Sequence, residues 1–387
     1  MKKYFFPALL LALFAVGFTA SNEDDESTPS TPSASVPAGY PDDSQAEPNP
    51  EIEDSTTGIP NPSTSVEEVD GLPVIRIDLT GIKNAEDVDW MRLYGMADIE
   101  VQNVWIEIDG KPKGFIVYNN ADNAGTENIP VDIVFTIDNS GSMSQEADAV
   151  ARDIQAWAEE LVNSGLNARF GVVGYDGAIV GAMNITSVDA LSEYLNYSSG
   201  VNRTRHFGGD DAAQLQAAVA PYRTGGGSAA ECGAAAIRFA DENFTFRTGA
   251  NRIYVNFTDE PNQPGGKEDY SVKFFESQTN WPAVKGTVHT VFSDDKRWGE
   301  GTNWNYEESP WLISEYTGGT VLFTNASFTG VTLSDLPVSG AMQNSYIIRI
   351  GDISDLLDGN PHEIHITVMS ADGKVSADKT FIVVFTM

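Results

Sequence analysis

The chain has 387 residues, 41% of them hydrophobic, and carries 56 Asp and Glu against 23 Lys and Arg, for a formal net charge of −33. That length and apolar content support more than one sizeable core, while the charge argues against nucleic acid or an anionic membrane surface as partner and favours cations. Cys232 is the sole cysteine, so no intramolecular disulfide exists and stability rests on packing.

Residues 1–20 (MKKYFFPALLLALFAVGFTA) place two lysines before an apolar run and then small residues. This is the layout of an export signal, and it is too short for a confident membrane span. The acidic stretch that follows resembles the start of bacterial surface lipoproteins, with Ser21 where a lipid-bearing Cys would stand. The expectation is an exported protein at the cell surface, in the outer membrane or outside the cell. Residues 21–72 are dominated by Pro, Ser, Thr, Asp and Glu; such a segment buries too little apolar surface to offset its conformational entropy. It is predicted to be a disordered acidic linker.

Apolar and polar residues alternate at 73–79 (PVIRIDL) and 101–108, and 114–118 (GFIVY) follows the Asp109-Gly110 turn signal, which predicts antiparallel strands. The pattern returns at 345–351, 362–370 and 379–385. Neither 73–129 nor 346–387 holds enough strands for a stable sheet alone. The two are predicted to combine into one β-sandwich, with two separate flanking β units as the alternative. His362 and His365 lie three apart on a strand, face opposite sides and are excluded as a zinc pair.

Residues 130–345 alternate strands with helices, the signature of a doubly wound, mostly parallel sheet. The predicted fold class is therefore α/β, with that sheet inserted in, or flanked by, an all-β sandwich. Residues 131–137 (VDIVFTI) are nearly uninterrupted apolar or β-branched, as in a strand buried on both faces. At its carboxyl end, where open α/β sheets bind ligands, stand Asp138, Ser140 and Ser142, with Gly141 between the serines expected to let the chain turn sharply. One carboxylate and two hydroxyls form a hard oxygen set suited to Mg²⁺ but too weakly charged to hold it alone. Residues 145–161 set Ala147, Val150, Ile154, Trp157 and Leu161 at helical spacing, a core-facing stripe. Further helices are expected at 187–195, 210–222, 231–242 and 270–275.

The Asp138-x-Ser140-x-Ser142 pattern resembles the metal-ion-dependent adhesion site of the von Willebrand factor A (VWA) family. ARFGVVGYDG (168–177), NRIYVNFTDEP (251–261) and LISEYTGGTVLF (312–323) resemble, in order, that family's second strand, fourth strand and closing helix, turn and strand. The resemblance covers roughly 130–345 and implies two more ligand loops. In one, Glu231 is the chosen ligand, because ECGAAAI (231–237) resembles the run that opens the corresponding helix of integrin β chains; Ser228 and Thr224 are the hydroxyl alternatives, and Gly225, Gly226 and Gly227 would allow close approach. In the other, Asp259 is the ligand, usually through water, with Glu260 as competitor. Glu146 falls where integrin β chains hold an adjacent second ion, although Gln145 replaces its companion. Integrin β chains also resemble the proposed insertion of an A domain in a sandwich.

The implied metal set is Asp138, Ser140, Ser142, Glu231 and Asp259, around Mg²⁺, with Mn²⁺ or Ca²⁺ as alternatives. The expected function is a metal-dependent adhesion or binding module at the bacterial surface, whose ion accepts a carboxylate or hydroxyl from a protein or glycan. The alternative is a structural surface or assembly component in which the metal only stabilises the loops. No catalytic residues are expected: position 140 is Ser where aspartyl phosphotransferases need a second Asp, no Gly-x-Ser-x-Gly surrounds either serine, and GGGSAAE lacks the lysine of a phosphate loop.

Overall fold

The structure, a computed structural model, describes residues 36–83, 89–96, 101–120, 129–224, 230–293 and 306–385. The expected export signal, the first part of the expected linker and Ser228 lie outside the described residues, as do Gly225, Gly226 and Gly227. Among the described residues, no helix is long and apolar enough to cross a membrane.

The chain opens with short strands: β1 (Ser63–Val69), β2 (Leu72–Leu79), β3 (Val104–Ile108), β4 (Lys111–Pro112) and β5 (Phe115–Asn119). Its middle runs β6 (Val131–Asp138), α1 (Ala147–Asn163), β7 (Ala168–Tyr175), β8 (Ile179–Thr186), α2 (Val188–Leu195), β9 (Phe207–Gly208), α3 (Ala212–Ala217) and α4 (Gly233–Asn243). Then follow β10 (Asn251–Thr258), β11 (Thr287–Phe292), α5 (Trp311–Thr317), β12 (Val321–Phe323) and α6 (Val338–Gln343), and the chain closes with β13 (Tyr346–Ile350), β14 (Pro361–Met369) and β15 (Ser376–Val384).

Among the described residues the strands form a seven-stranded sheet, in the order β12-β11-β10-β6-β7-β8-β9, and two four-stranded antiparallel sheets, β1-β2-β13-β5 and β15-β14-β3-β4. In the large sheet only β7 and β8 pair antiparallel. All of β6 is buried, because helices cover both of its faces. Ile133, Phe135 and Ile137 join Val150, Ile154, Trp157 and Leu161 of α1 in one cluster, and Phe135 meets Trp157 edge-on at 6.1 Å between ring centroids. Val134 points the other way, into a cluster with Ala234, Ala236 and Phe239 of α4. Such packing is sensitive to single truncations: Ile154→Ala is expected to cost about 2–5 kcal/mol.

Each antiparallel sheet mixes strands from both ends of the chain. β13 lies between β2 and β5, and β14 between β15 and β3. Their inward residues, Ile75, Ile77 and Ile348 from one sheet and Ile106, Ile366 and Phe381 from the other, share one cluster. A strand with one apolar face needs a facing partner, and here each sheet supplies it for the other.

The structure departs from the sequence reading in several places. The segment predicted to be a disordered linker contains a one-turn helix, Asp43–Gln45, and the strand β1. Its order comes from hydrogen bonds to other strands and from a few apolar residues, Ile59 with Ala46 and Val66, that join the sandwich core. Asn49 Nδ2 donates to His365 O and Thr367 Oγ1, both at 3.1 Å, Thr56 N–H donates to Ser376 O at 2.8 Å, and β1 pairs along its length with β2. The single helix expected at 210–222 is α3 followed by a one-turn helix, Ala220–Tyr222, with Pro221 at its start; proline has no N–H to continue an α-helix. The helix expected at 231–242 starts at Gly233, leaving Glu231 in the loop before it. The region 270–275 forms one-turn helices, Glu268–Tyr270 and Val272–Glu276. β1, β8 and β11 were not among the predicted strands.

Candidate metal centre

Parallel pairing of β6 with β10 and with β7 brings the loops that follow these strands to one edge of the sheet. Asp138 closes β6 and is buried. Its Oδ1 accepts the N–H of Ser140 at 2.9 Å, which bends the chain back so that the Ser140 and Ser142 hydroxyls lie 2.8 Å apart. Gly141 need not be a glycine for that turn to form. It has an ordinary right-handed conformation, φ −66° and ψ −28°, and a Cβ there would meet nothing within 4 Å, so the expectation that the turn needs glycine is corrected.

Asp259 follows β10 directly, and its Oδ1 accepts from Ser142 Oγ at 3.0 Å. Thr258, one residue earlier, donates from Oγ1 to Asp138 Oδ2 at 3.0 Å, so both oxygens of Asp138 are oriented. Glu231 is held close by the segment after Asp259. Gln263 N–H donates to Glu231 O at 2.8 Å, and Asn262 Oδ1 accepts the Ala234 N–H at 3.1 Å at the start of α4. As a result Asp138, Glu231 and Asp259, all buried, each offer a carboxylate oxygen within 4.8 Å of the others.

Burial first, then the charge of Glu231, push the Asp138 carboxyl well above the usual carboxylate range, and Asp259 adds to the effect. Three buried carboxylates in such proximity are costly without a counter-charge. With two hydroxyls beside them, the donor set is all oxygen, the kind that hard divalent cations take. This buried triad can hold a metal ion.

Chain comparisons add little to this. No family model and no curated protein matches the chain. Solved structures with a resemblance include proximal thread matrix protein 1 from the mussel byssus, 16% identical over 56% of this chain and 47% of that one, TM-score 0.31. The pilus adhesin SpaC from Lactobacillus rhamnosus GG is 10% identical over 84% of this chain and 47% of that one, TM-score 0.31. The human COPII-coat protein Sec24c is 10% identical over 72% of this chain and 47% of that one, TM-score 0.28. The matched region spans about half the length of each of these proteins, and likeness at this level assigns no function.

The other candidates fall outside the triad. Thr224 is buried, and its Oγ1 donates to Ala230 O at 2.6 Å. Glu260 N–H donates to Thr258 Oγ1 at 3.2 Å, whereas Asp259 is the acidic group of the triad. Glu146 is buried and accepts a short hydrogen bond from Ser293 Oγ. Cys232, held against Asn262 Oδ1 at 3.1 Å, has a thiol that burial pushes up to about 12, so it stays protonated at neutral pH. His362 is bonded at Nδ1 to Asp109 and at Nε2 to Asp358, while His365 lies 3.5 Å from Asp378.

Thr258 and Asn139 escaped the sequence reading. Asn139 Nδ2 donates to Thr204 Oγ1 at 3.1 Å, and its carbonyl accepts from Arg205 Nη2 at 2.9 Å, so the loop after β6 is braced against the segment that precedes β9. The only local signal for Thr258 was a hydroxyl residue beside a strand-ending Asp.

Proposed function

We propose that this chain is an exported, metal-dependent binding module of the VWA type, with a doubly wound sheet set into a β-sandwich. Asp138, Ser140, Ser142, Glu231 and Asp259 would hold a Mg²⁺-class ion, and the ion's remaining coordination would take a carboxylate or hydroxyl from a protein or glycan at the bacterial surface. The observation that carries this reading is the meeting of Asp138, Glu231 and Asp259 from three separate loops at one sheet edge. The three carboxylates supply the charge and the two serines neutral oxygens, and these five donors are one short of the octahedral set that Mg²⁺ takes, which would leave a position for the partner. Binding rather than catalysis is the proposed role, in keeping with a sequence that has Ser140 where an aspartyl phosphotransferase needs a second Asp and no Gly-x-Ser-x-Gly around either serine.

The test is calorimetric titration of the chelator-treated full chain with Mg²⁺, followed by surface-plasmon measurements over immobilised matrix proteins and glycans, with Mg²⁺ or with chelator. Saturable Mg²⁺ binding that Asp138→Ala removes, together with partner binding lost in chelator, supports the reading. Partner binding that ignores both changes sinks it in favour of a purely structural ion.

A further inference from the structure

A second site lies away from the metal centre, at the amino-terminal end of β10. A cavity of about 280 Å³ opens between the large sheet, α6, the segment before β1 and the turn after β2, and Asn251, Asn61, His289, Trp90, Lys83 and Arg252 are among its lining residues. Asn251, the first residue of β10, is 3% exposed. Neither its side-chain oxygen nor its side-chain nitrogen has a hydrogen-bond partner. Asn61 is also buried; its Nδ2 donates to Gly286 O at 3.0 Å, and its Oδ1 is likewise unpartnered. Buried amides are almost always satisfied, and a cavity this size, apolar over most of its lining but with these amides in its wall, has room for the missing partners.

We infer that this cavity is a binding site for a neutral, hydroxyl-rich molecule of about monosaccharide size. The side chain of Asn251 presents a donor and an acceptor side by side, and adjacent hydroxyls, each both donor and acceptor, complement that pair. Asn61 Oδ1 takes a further hydroxyl proton. His289 accepts the Thr320 N–H at Nδ1, at 3.0 Å, and burial lowers its pKa to about 4, so at neutral pH the ring is uncharged and carries its hydrogen on Nε2. The charged lining groups have other engagements: Arg252 pairs with Asp241 at 3.3 Å, and the Lys83 ammonium lies 4.7 Å from the Trp90 ring centroid. Trp90 closes one side of the cavity, its ring packed on Gly81 and Gly340. The volume lies just below the usual range of small-ligand pockets, about 300–1,000 Å³, which limits the ligand to one ring.

The test is titration of the full chain with D-glucose, D-galactose, N-acetyl-D-glucosamine and myo-inositol, followed by Trp fluorescence and by ligand-observed NMR, with sodium D-glucuronate as the charged comparison. Saturable binding of at least one neutral compound, weakened at least tenfold in Asn251→Leu and in Asn251→Ala, supports the site. The melting temperature of ligand-free Asn251→Leu should equal or exceed that of wild type, since an unpartnered amide is being removed. No saturable binding by any neutral compound overturns the proposal and leaves a water-filled cavity. So does glucuronate binding in preference to all of them, or binding that both Asn251 variants retain.

Discussion

Ser142 Oγ donates to Asp259 Oδ1 at 3.0 Å across 117 positions of sequence. The bond joins the loop after β6 to the loop after β10, and it exists because those strands run parallel in adjacent register. If the joined loops are metal loops, the melting temperature of wild type should rise with the logarithm of Mg²⁺ concentration, by about 2.7 kcal/mol of added stability at 100 times Kd. Asp138→Ala should show no such gain and Ser142→Ala a reduced one. In chelator, Asp138→Asn should match or exceed wild type in stability, because it removes one of three mutually repelling buried carboxylates. Differential scanning calorimetry at several Mg²⁺ concentrations measures all three. A full Mg²⁺ response in Asp138→Ala would remove Asp138 from the site.

At the opposite end of β6, Asp132 is fully buried and held by Arg247, whose Nε lies 2.7 Å from Oδ1 and whose backbone N–H donates to Oδ2 at 2.7 Å. The same guanidinium also donates to Val131 O and Asn167 O. Arg247→Met should destabilise by about 3–5 kcal/mol, the cost of leaving a buried carboxylate without its charge partner. Adding Asp132→Asn should recover part of the loss. Urea denaturation reads both, and a change under 1 kcal/mol in the single variant would show that the pair contributes little.

Acid should weaken the fold through His289. Its folded pKa of about 4 lies below the reference 6.5, so the unfolded chain takes up the proton first as pH falls. The stabilising difference is complete above pH 6.5 and is lost between 6.5 and about 4, amounting to about 3 kcal/mol. His289→Gln should flatten this part of the stability profile. Equal acid sensitivity in variant and wild type would assign the decline to other groups.

His362 should act with the opposite sign. The hydrogen bond to Asp109 raises its pKa above 6.5. Its contribution is therefore complete below pH 6.5 and is lost as pH rises through the folded value. The stability gap between wild type and His362→Gln should be widest near pH 6 and narrow toward pH 9, as followed by thermal melts across that range. A gap that widens with pH would contradict the assignment.

Removing residues 346–387 should unfold more than the segment removed. β13 is the middle partner of β2 and β5, and β14 pairs with β3, so the deletion strips both antiparallel sheets of a central strand and exposes the cluster around Ile75, Ile77 and Ile106. We expect aggregation and rapid proteolysis within 63–119. A soluble, protease-resistant truncation would show that the amino-terminal strands support themselves.

Much of this protein was already legible in residues whose structure depends on their immediate neighbours. A run such as 131–138 announces burial on both faces because nearly every position is apolar or β-branched, and the stripe of Val150, Ile154, Trp157 and Leu161 announces a packed helix through its period. The same local logic pointed to Asp138, Ser140 and Ser142, which share one turn, while Asp259 was reached through the family resemblance. What the chain order alone left undecided depends on which distant segments meet. The polar segment before β1 is ordered by bonds to β14 and β15, whereas β1 itself pairs with its neighbour β2 across Asp70-Gly71, both at positive φ, a local hairpin signal that the sequence reading passed over. The bond from Thr258 to Asp138 and the cavity beneath Asn251 both follow from strand adjacency. A one-residue shift of register would turn each of those side chains to the other face of its sheet, and only the packed tertiary structure sets that register.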